Sequence, residues 1–140
     1  MVNTTNKILE IKSKMVDFYV DYFESKSRFS NERISCILGE ERKQLDTLKK
    51  VFDGDPANLE KKLEQVIESH LSELENLDFS YKNDKDFLIK SSKMEKNFFI
   101  IFSLLEEQYE NKLTASIFDN FLQEESKHKL ILELFLDEVK

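Results

Sequence analysis

Two glycines and one proline are all that 140 residues contain, and Gly54 and Pro56 fall together in one stretch, DGDP (53–56). Tight turns between strands draw on these residue types at fixed positions, so a chain so poor in both does not build many short strands. A few long helices remain as the arrangement to test. Apolar residues at helical spacing mark out five of them. The first runs from about Lys7 to Arg28, with Ile8, Ile11, Met15, Phe18 and Tyr22 on one stripe. The second runs from about Asn31 to Phe52, with Ser30 as N-cap and Ile34, Ile37, Leu38, Leu45, Leu48 and Phe52 as its stripe. DGDP stops it, and Asp55-Pro56 supplies a cap and first-turn proline for a more charged middle helix, Ala57 to Leu77. That helix carries Leu59, Leu63, Val66, Leu74 and Leu77, and the polar stretch DFSYKND (78–84) ends it. The last two helices run from about Lys85 to Asn111, capped by Asp84, and from about Ala115 to Val139, capped by Thr114.

The two halves resemble each other. At an offset of 84 positions, Glu40, Glu41, Lys43 and Gln44 align with Glu124, Glu125, Lys127 and His128, and Phe18 aligns with Phe102. The expected fold is therefore all-α and single-domain, a four-helix bundle of two helical hairpins. One hairpin covers about 7–52 and the other about 85–139, joined by a long crossover with the extra helix at about 57–77. Four helices with one long crossover is ferritin-like connectivity.

Charge and composition narrow the function classes. A net charge of −7 gives no electrostatic support to a nucleic-acid partner or an anionic membrane surface. The most apolar run, FFIIFSLL (98–105), is far short of the roughly 20 residues a spanning helix needs. The N-terminal MVNTTNKILEIKSK lacks the apolar core of a signal peptide. Cys36 is the single cysteine, expected as a small core residue, and with these features a cytoplasmic location is expected. No Ser-His-Asp set, phosphate-cradling glycine loop or nucleotide fingerprint is visible.

Each of three helices places a glutamate on its apolar stripe. Glu125 lies among Phe118, Phe121, Leu122, Leu132 and Leu136, with His128 flanking it one turn on. Glu41 lies among Ile34, Leu38, Leu45 and Phe52, with Gln44 in the flanking position. Glu95 lies among Leu88, Phe98, Phe99, Phe102, Tyr109 and Leu113. A buried carboxylate must pair, take a proton or bind a cation, and three together repel one another. No lysine or arginine falls at the centre of these stripes on this reading, so a divalent metal with mixed oxygen and nitrogen ligands is the expected solution. The bland alternative for any one glutamate is a position near a helix end or an ion pair. For the whole set it is a metal-free bundle serving oligomerisation or partner binding. His70 is expected as a half-buried structural histidine, and Glu106 as an ion pair at the bundle end.

The stretch MEKNFFIIFSLLEEQYENKLTASIFDNFLQEESKHKLILELF resembles a hairpin of the rubrerythrin group within the ferritin-like superfamily. The matching features are Glu95, Phe102 two turns later, and Glu124-Glu125-Ser126-Lys127-His128, with Glu95 and Glu125 separated by 30 positions. The family's two-metal site takes one glutamate from each of two helices and Glu-x-x-His from each of the other two. The resemblance thus implies Glu95, Glu125, His128 and Glu41 as ligands. Gln44 stands in the first half's histidine position, and counting back 30 from Glu41 reaches Ile11, not a carboxylate. Glu10 is the adjacent candidate, about 100° around the helix from Ile11. Both losses fall on one metal position, so the resemblance implies at most one well-held ion per chain: iron, manganese or zinc. Rubrerythrin-type peroxidase and ferroxidase chemistry uses paired irons, which leaves oxidoreductase activity undecided. Apolar residues also occupy the outer faces of the last two helices, at Ile100, Leu104, Leu130, Ile131 and Leu134, and a homodimer through these faces is expected.

Overall fold

The computed structural model describes residues 3–54 and 59–139. Among them are five helices, with no strand: α1 (Thr4–Glu24), α2 (Glu32–Gly54), α3 (Lys61–Glu75), α4 (Asp84–Glu106) and α5 (Lys112–Glu138). The all-α class follows from the shortage of turn formers and the helical spacing of apolar residues. α1 packs on α2 and α4 on α5, α3 lies against α1 and α4, and α2 meets α5. Every residue of the expected stripes of α1 and α2 is buried.

The caps differ from the expected ones. Asn31, rather than Ser30, accepts from the backbone N–H of Arg33 and Ile34 at the start of α2. Asn83 accepts from Asp86 N–H at α4, one residue before the expected Asp84. Asn111 accepts from Leu113 and Thr114 N–H at α5, so Thr114 lies inside the helix it was expected to cap. Asparagine caps at least as well as serine, threonine or aspartate, and the competing side chains differ by only a residue or two in position. The expected Asp55-Pro56 start of α3 lies outside the described residues.

Several burial expectations also shift. On α3 the buried face is Ile67, Leu71 and Leu74, while Val66 is 45% exposed, because the helix presents a face one residue round from the expected stripe. α4 ends at Glu106, before Leu113, which is exposed at the head of α5. Phe99 is exposed beside fully buried Phe98. Cys36 is exposed, since it points away from the side of α2 that carries Ile34, Ile37 and Leu38. Glu106 forms no ion pair among the described residues, and its Oε2 is buried without a hydrogen-bond partner.

Two aromatic clusters flank the bundle's middle. Toward one end, Tyr22 stacks on Phe87 with centroids 3.6 Å apart and planes 4° from parallel, and Phe18, Tyr19 and Tyr81 meet Phe87 as well. The Tyr22 hydroxyl donates to Asp84 Oδ1 at 2.8 Å, tying the end of α1 to the start of α4. Burial, then the hydrogen bond to Asp84, pushes the Tyr22 hydroxyl pKa up. Toward the other end, Phe98, Phe102, Phe118, Phe121 and Tyr109 form a second ring cluster. α3 is pinned by polar contacts: Thr4 and Lys7 donate to Glu68, and half-buried His70 donates through Nδ1 to Asn97 Oδ1 at 2.8 Å. No helix is long and apolar enough to cross a membrane among the described residues.

Candidate metal centre

Between the aromatic clusters, four helices turn polar side chains inward. α1 contributes Lys12 and Tyr19, α2 Glu41, α4 Glu95, and α5 Glu125 and His128; all six are 0% exposed. Glu125 and His128 are three residues apart, hence neighbours on one helix face, and Lys12 and Tyr19 lie two turns apart on one face of α1. One ligand atom from each of Glu41, Glu95, Glu125 and His128 lies within 4.8 Å of the others.

The cluster has two sides. On one, His128 Nδ1 sits 3.1 Å from Glu41 Oε1, 3.3 Å from Glu95 Oε2 and 3.8 Å from Glu125 Oε1. On the other, Lys12 Nζ pairs with Glu41 Oε2 and lies 3.6 Å from Glu125 Oε1. Glu41 thus bridges His128 and Lys12 through different oxygens, and Glu125 Oε1 faces both. The rings of Phe98 and Phe102 close the Lys12 side, with centroids 4.3 and 5.2 Å from Nζ. The Tyr19 hydroxyl donates to Glu95 Oε1 at 2.8 Å. Outside the cluster, Glu40 Oε1 lies 2.8 Å from both His128 Nε2 and Lys127 Nζ.

Nδ1 of His128 faces inward and Nε2 faces Glu40, so both ring nitrogens meet carboxylate oxygens. With Nε2–H donating to Glu40, Nδ1 presents its lone pair to three carboxylates, an arrangement that holds only with a proton or a cation between them. Burial pushes the His128 pKa down, but Glu41, Glu125 and Glu40 outweigh it and hold it above the ordinary value. The same balance acts on Lys12: burial opposes its charge, and Glu125, Glu41 and Glu95 more than restore it. Burial would raise the Glu41 carboxyl, yet Lys12 and His128 hold it well below the usual range. Glu95 and Glu125 go the other way, raised well above it by burial and then by Glu41, with Glu95 adding to the rise at Glu125. Burial and the Glu95 charge push the Tyr19 hydroxyl up.

The group of Glu41, Glu95, Glu125 and His128 could hold a metal ion. Neither Glu125 oxygen accepts a hydrogen bond although both are buried, and Oε1 faces both His128 and Lys12, free to ligate a cation. One imidazole nitrogen with carboxylate oxygens suits iron, manganese or zinc. The residues fit one ion. They do not fit two, because the far side of Glu41 is held by the Lys12 ammonium.

Four of the five sequence-predicted ligands are therefore brought together. Glu10 is not: it lies on the exposed face of α1, 3.7 Å from Lys14, on the side of the helix away from Lys12 and Met15. Gln44 is buried but turns outward, its Nε2 donating to Glu124 Oε1 at 3.1 Å. The expectation that no lysine reaches the stripes is overturned by Lys12. The expected stripe of Ile8, Ile11, Met15, Phe18 and Tyr22 is centred about 80° around the helix from Lys12. Val16 and Tyr19 are buried too and widen the core-facing arc of α1 to include Lys12. A tyrosine two turns after the lysine was the available signal. Glu40, paired with Glu124 in the internal repeat, carried none for contacting His128. Comparison with protein-family models, with curated proteins and with solved structures finds no match, and the reading of this centre rests on its geometry.

Proposed function

We propose that the chain binds one divalent metal ion, iron, manganese or zinc, through Glu41, Glu95, Glu125 and Nδ1 of His128, on a ferritin-like bundle of the rubrerythrin type. The observation that carries this reading is charge in a fully buried space. With all three carboxylates ionised, they and the one ammonium carry two uncompensated negative charges, which one divalent ion balances with His128 neutral. The paired hairpins and the helix-bearing crossover support the ferritin-like connectivity.

The chain's own residues then have distinct parts. Glu40 fixes the His128 tautomer, Tyr19 orients Glu95 and Lys12 orients Glu41. Phe98 and Phe102 keep water from the Lys12 side. A bound ion would supply Lewis acidity and, as iron or manganese, a one-electron couple; paired-iron peroxide chemistry has no place for its second iron. A second reading, a metal-free bundle serving oligomerisation or partner binding, is favoured by the Lys12–Glu41 ion pair, since protons on Glu95 and Glu125 would then close the charge. In either case Phe99, Leu122 and Leu130 line one groove between α4 and α5, and a second copy of the chain is the partner we infer for it.

Elemental analysis of protein purified without chelator separates the two readings. Metal binding gives about one iron, manganese or zinc per chain, lost in Glu125→Ala and His128→Ala. A metal-free bundle gives no stoichiometric metal in wild type or in either variant, and Glu125→Ala then removes a buried carboxyl without a hydrogen-bond partner at no cost in charge pairing.

A further inference from the structure

We propose that Lys12 is a built-in second cation that sets the capacity of the centre at one ion. This inference rests on the metal-binding reading above, and it concerns how many ions the site accepts. Glu41 and Glu125 each face two neighbours: His128 Nδ1 on one side, Lys12 Nζ on the other. The Lys12 position has what a cation site needs. It has a carboxylate oxygen from Glu41 in direct contact, an oxygen of Glu125 at 3.6 Å, the faces of two phenylalanines around it, and no exposure to solvent. Both Glu125 oxygens are buried and accept no hydrogen bond, so the one facing Lys12 is not committed to another donor. A lysine there supplies one positive charge covalently tethered to α1, which no change in metal supply can remove.

Charge counting gives the consequence. With Lys12 present, three carboxylates balance one ammonium and one divalent ion. With Lys12→Glu, four carboxylates balance two divalent ions, and the introduced carboxyl ends about one bond short of where the ammonium sits, within bonding reach of an ion centred there. With Lys12→Gln the tethered charge is gone and nothing replaces it, so the first ion no longer meets a neighbouring cation.

The experiment loads wild type, Lys12→Glu and Lys12→Gln with Mn(II), counts bound manganese after desalting, and records electron paramagnetic resonance spectra. The expected result is one more manganese per chain in Lys12→Glu than in wild type, with an exchange-coupled spectrum in place of the isolated-ion signal. Equal counts in the two proteins, with an isolated-ion spectrum in both, would overturn the inference. Should Lys12→Glu not fold, Lys12→Gln decides. Binding of the first Mn(II) about tenfold or more tighter than wild type supports a tethered cation; equal or weaker binding means that Lys12 serves the fold alone and overturns it. The wild-type count tests a different claim: no manganese in wild type rejects the metal-binding reading, while the difference between wild type and Lys12→Glu still judges Lys12.

Discussion

Lys12 and Glu41 form an ion pair with no solvent contact, and removing one member of such a pair strands the other charge. In chelator-treated protein, Glu41→Gln is expected to lower unfolding stability in urea by about 3–5 kcal/mol. Glu125→Gln should do the opposite, leaving stability equal or higher, because Glu125 accepts no hydrogen bond and is repelled by its neighbours. A comparable loss in both variants would contradict the asymmetry. The same groups set a pH dependence. Glu95 and Glu125 bind protons more tightly folded than unfolded, so in metal-free protein stability declines as pH rises above the ordinary carboxyl value of 4.5. His128, also raised, adds a further decline above its ordinary 6.5. Glu41 opposes this only below 4.5, where its stabilisation is lost as pH falls. Urea midpoints across this range should therefore fall with pH in chelator and flatten with saturating Mn(II). The glutamates and His128 were legible in the sequence because polar residues on an apolar stripe have few explanations. Lys12 was not, because its place depends on how wide an arc of α1 the other helices cover, a tertiary property.

At the scale of elements, the spacing of apolar residues located all five helices, while their starts were misplaced by a few residues. At α2, α4 and α5 the misplacement has the same origin. Asn31, Asn83 and Asn111 compete with Ser30, Asp84 and Thr114, and nothing local decides which side chain meets the free N–H groups. For α5 this gives a direct check: Asn111→Ala should cost about 1 kcal/mol in chemical denaturation, and Thr114→Ala only a few tenths. Equal costs would restore the expected cap. The end cluster offers a larger effect. Phe87 stacks on Tyr22 and meets Phe18, Tyr19 and Tyr81, so Phe87→Ala should destabilise by about 3–5 kcal/mol. α3 contributes no side chain to the centre, and the register of its stripe was misread. Its face is short and charged, and Ile67 and Leu71 compete with Val66 and Leu63 for the inward position.

For the whole molecule, the bundle is a scaffold whose middle is kept polar between two aromatic clusters. Its outer surface carries Phe99, Leu130 and Leu134 at 40%, 59% and 49% exposure, the basis for the inferred pairing of two copies. Sedimentation velocity should find a dimer that Leu130→Glu combined with Leu134→Glu converts to monomer; a monomeric wild type would remove that inference without touching the centre. The buried cluster itself is judged most directly by titrating metal-free protein with Mn(II) in a calorimeter, in two buffers of different ionisation enthalpy. Saturation at about one ion per chain, with protons released as Glu95, Glu125 and His128 give way to the metal, is the predicted result. Absence of saturable uptake, or uptake with no proton release, would contradict it.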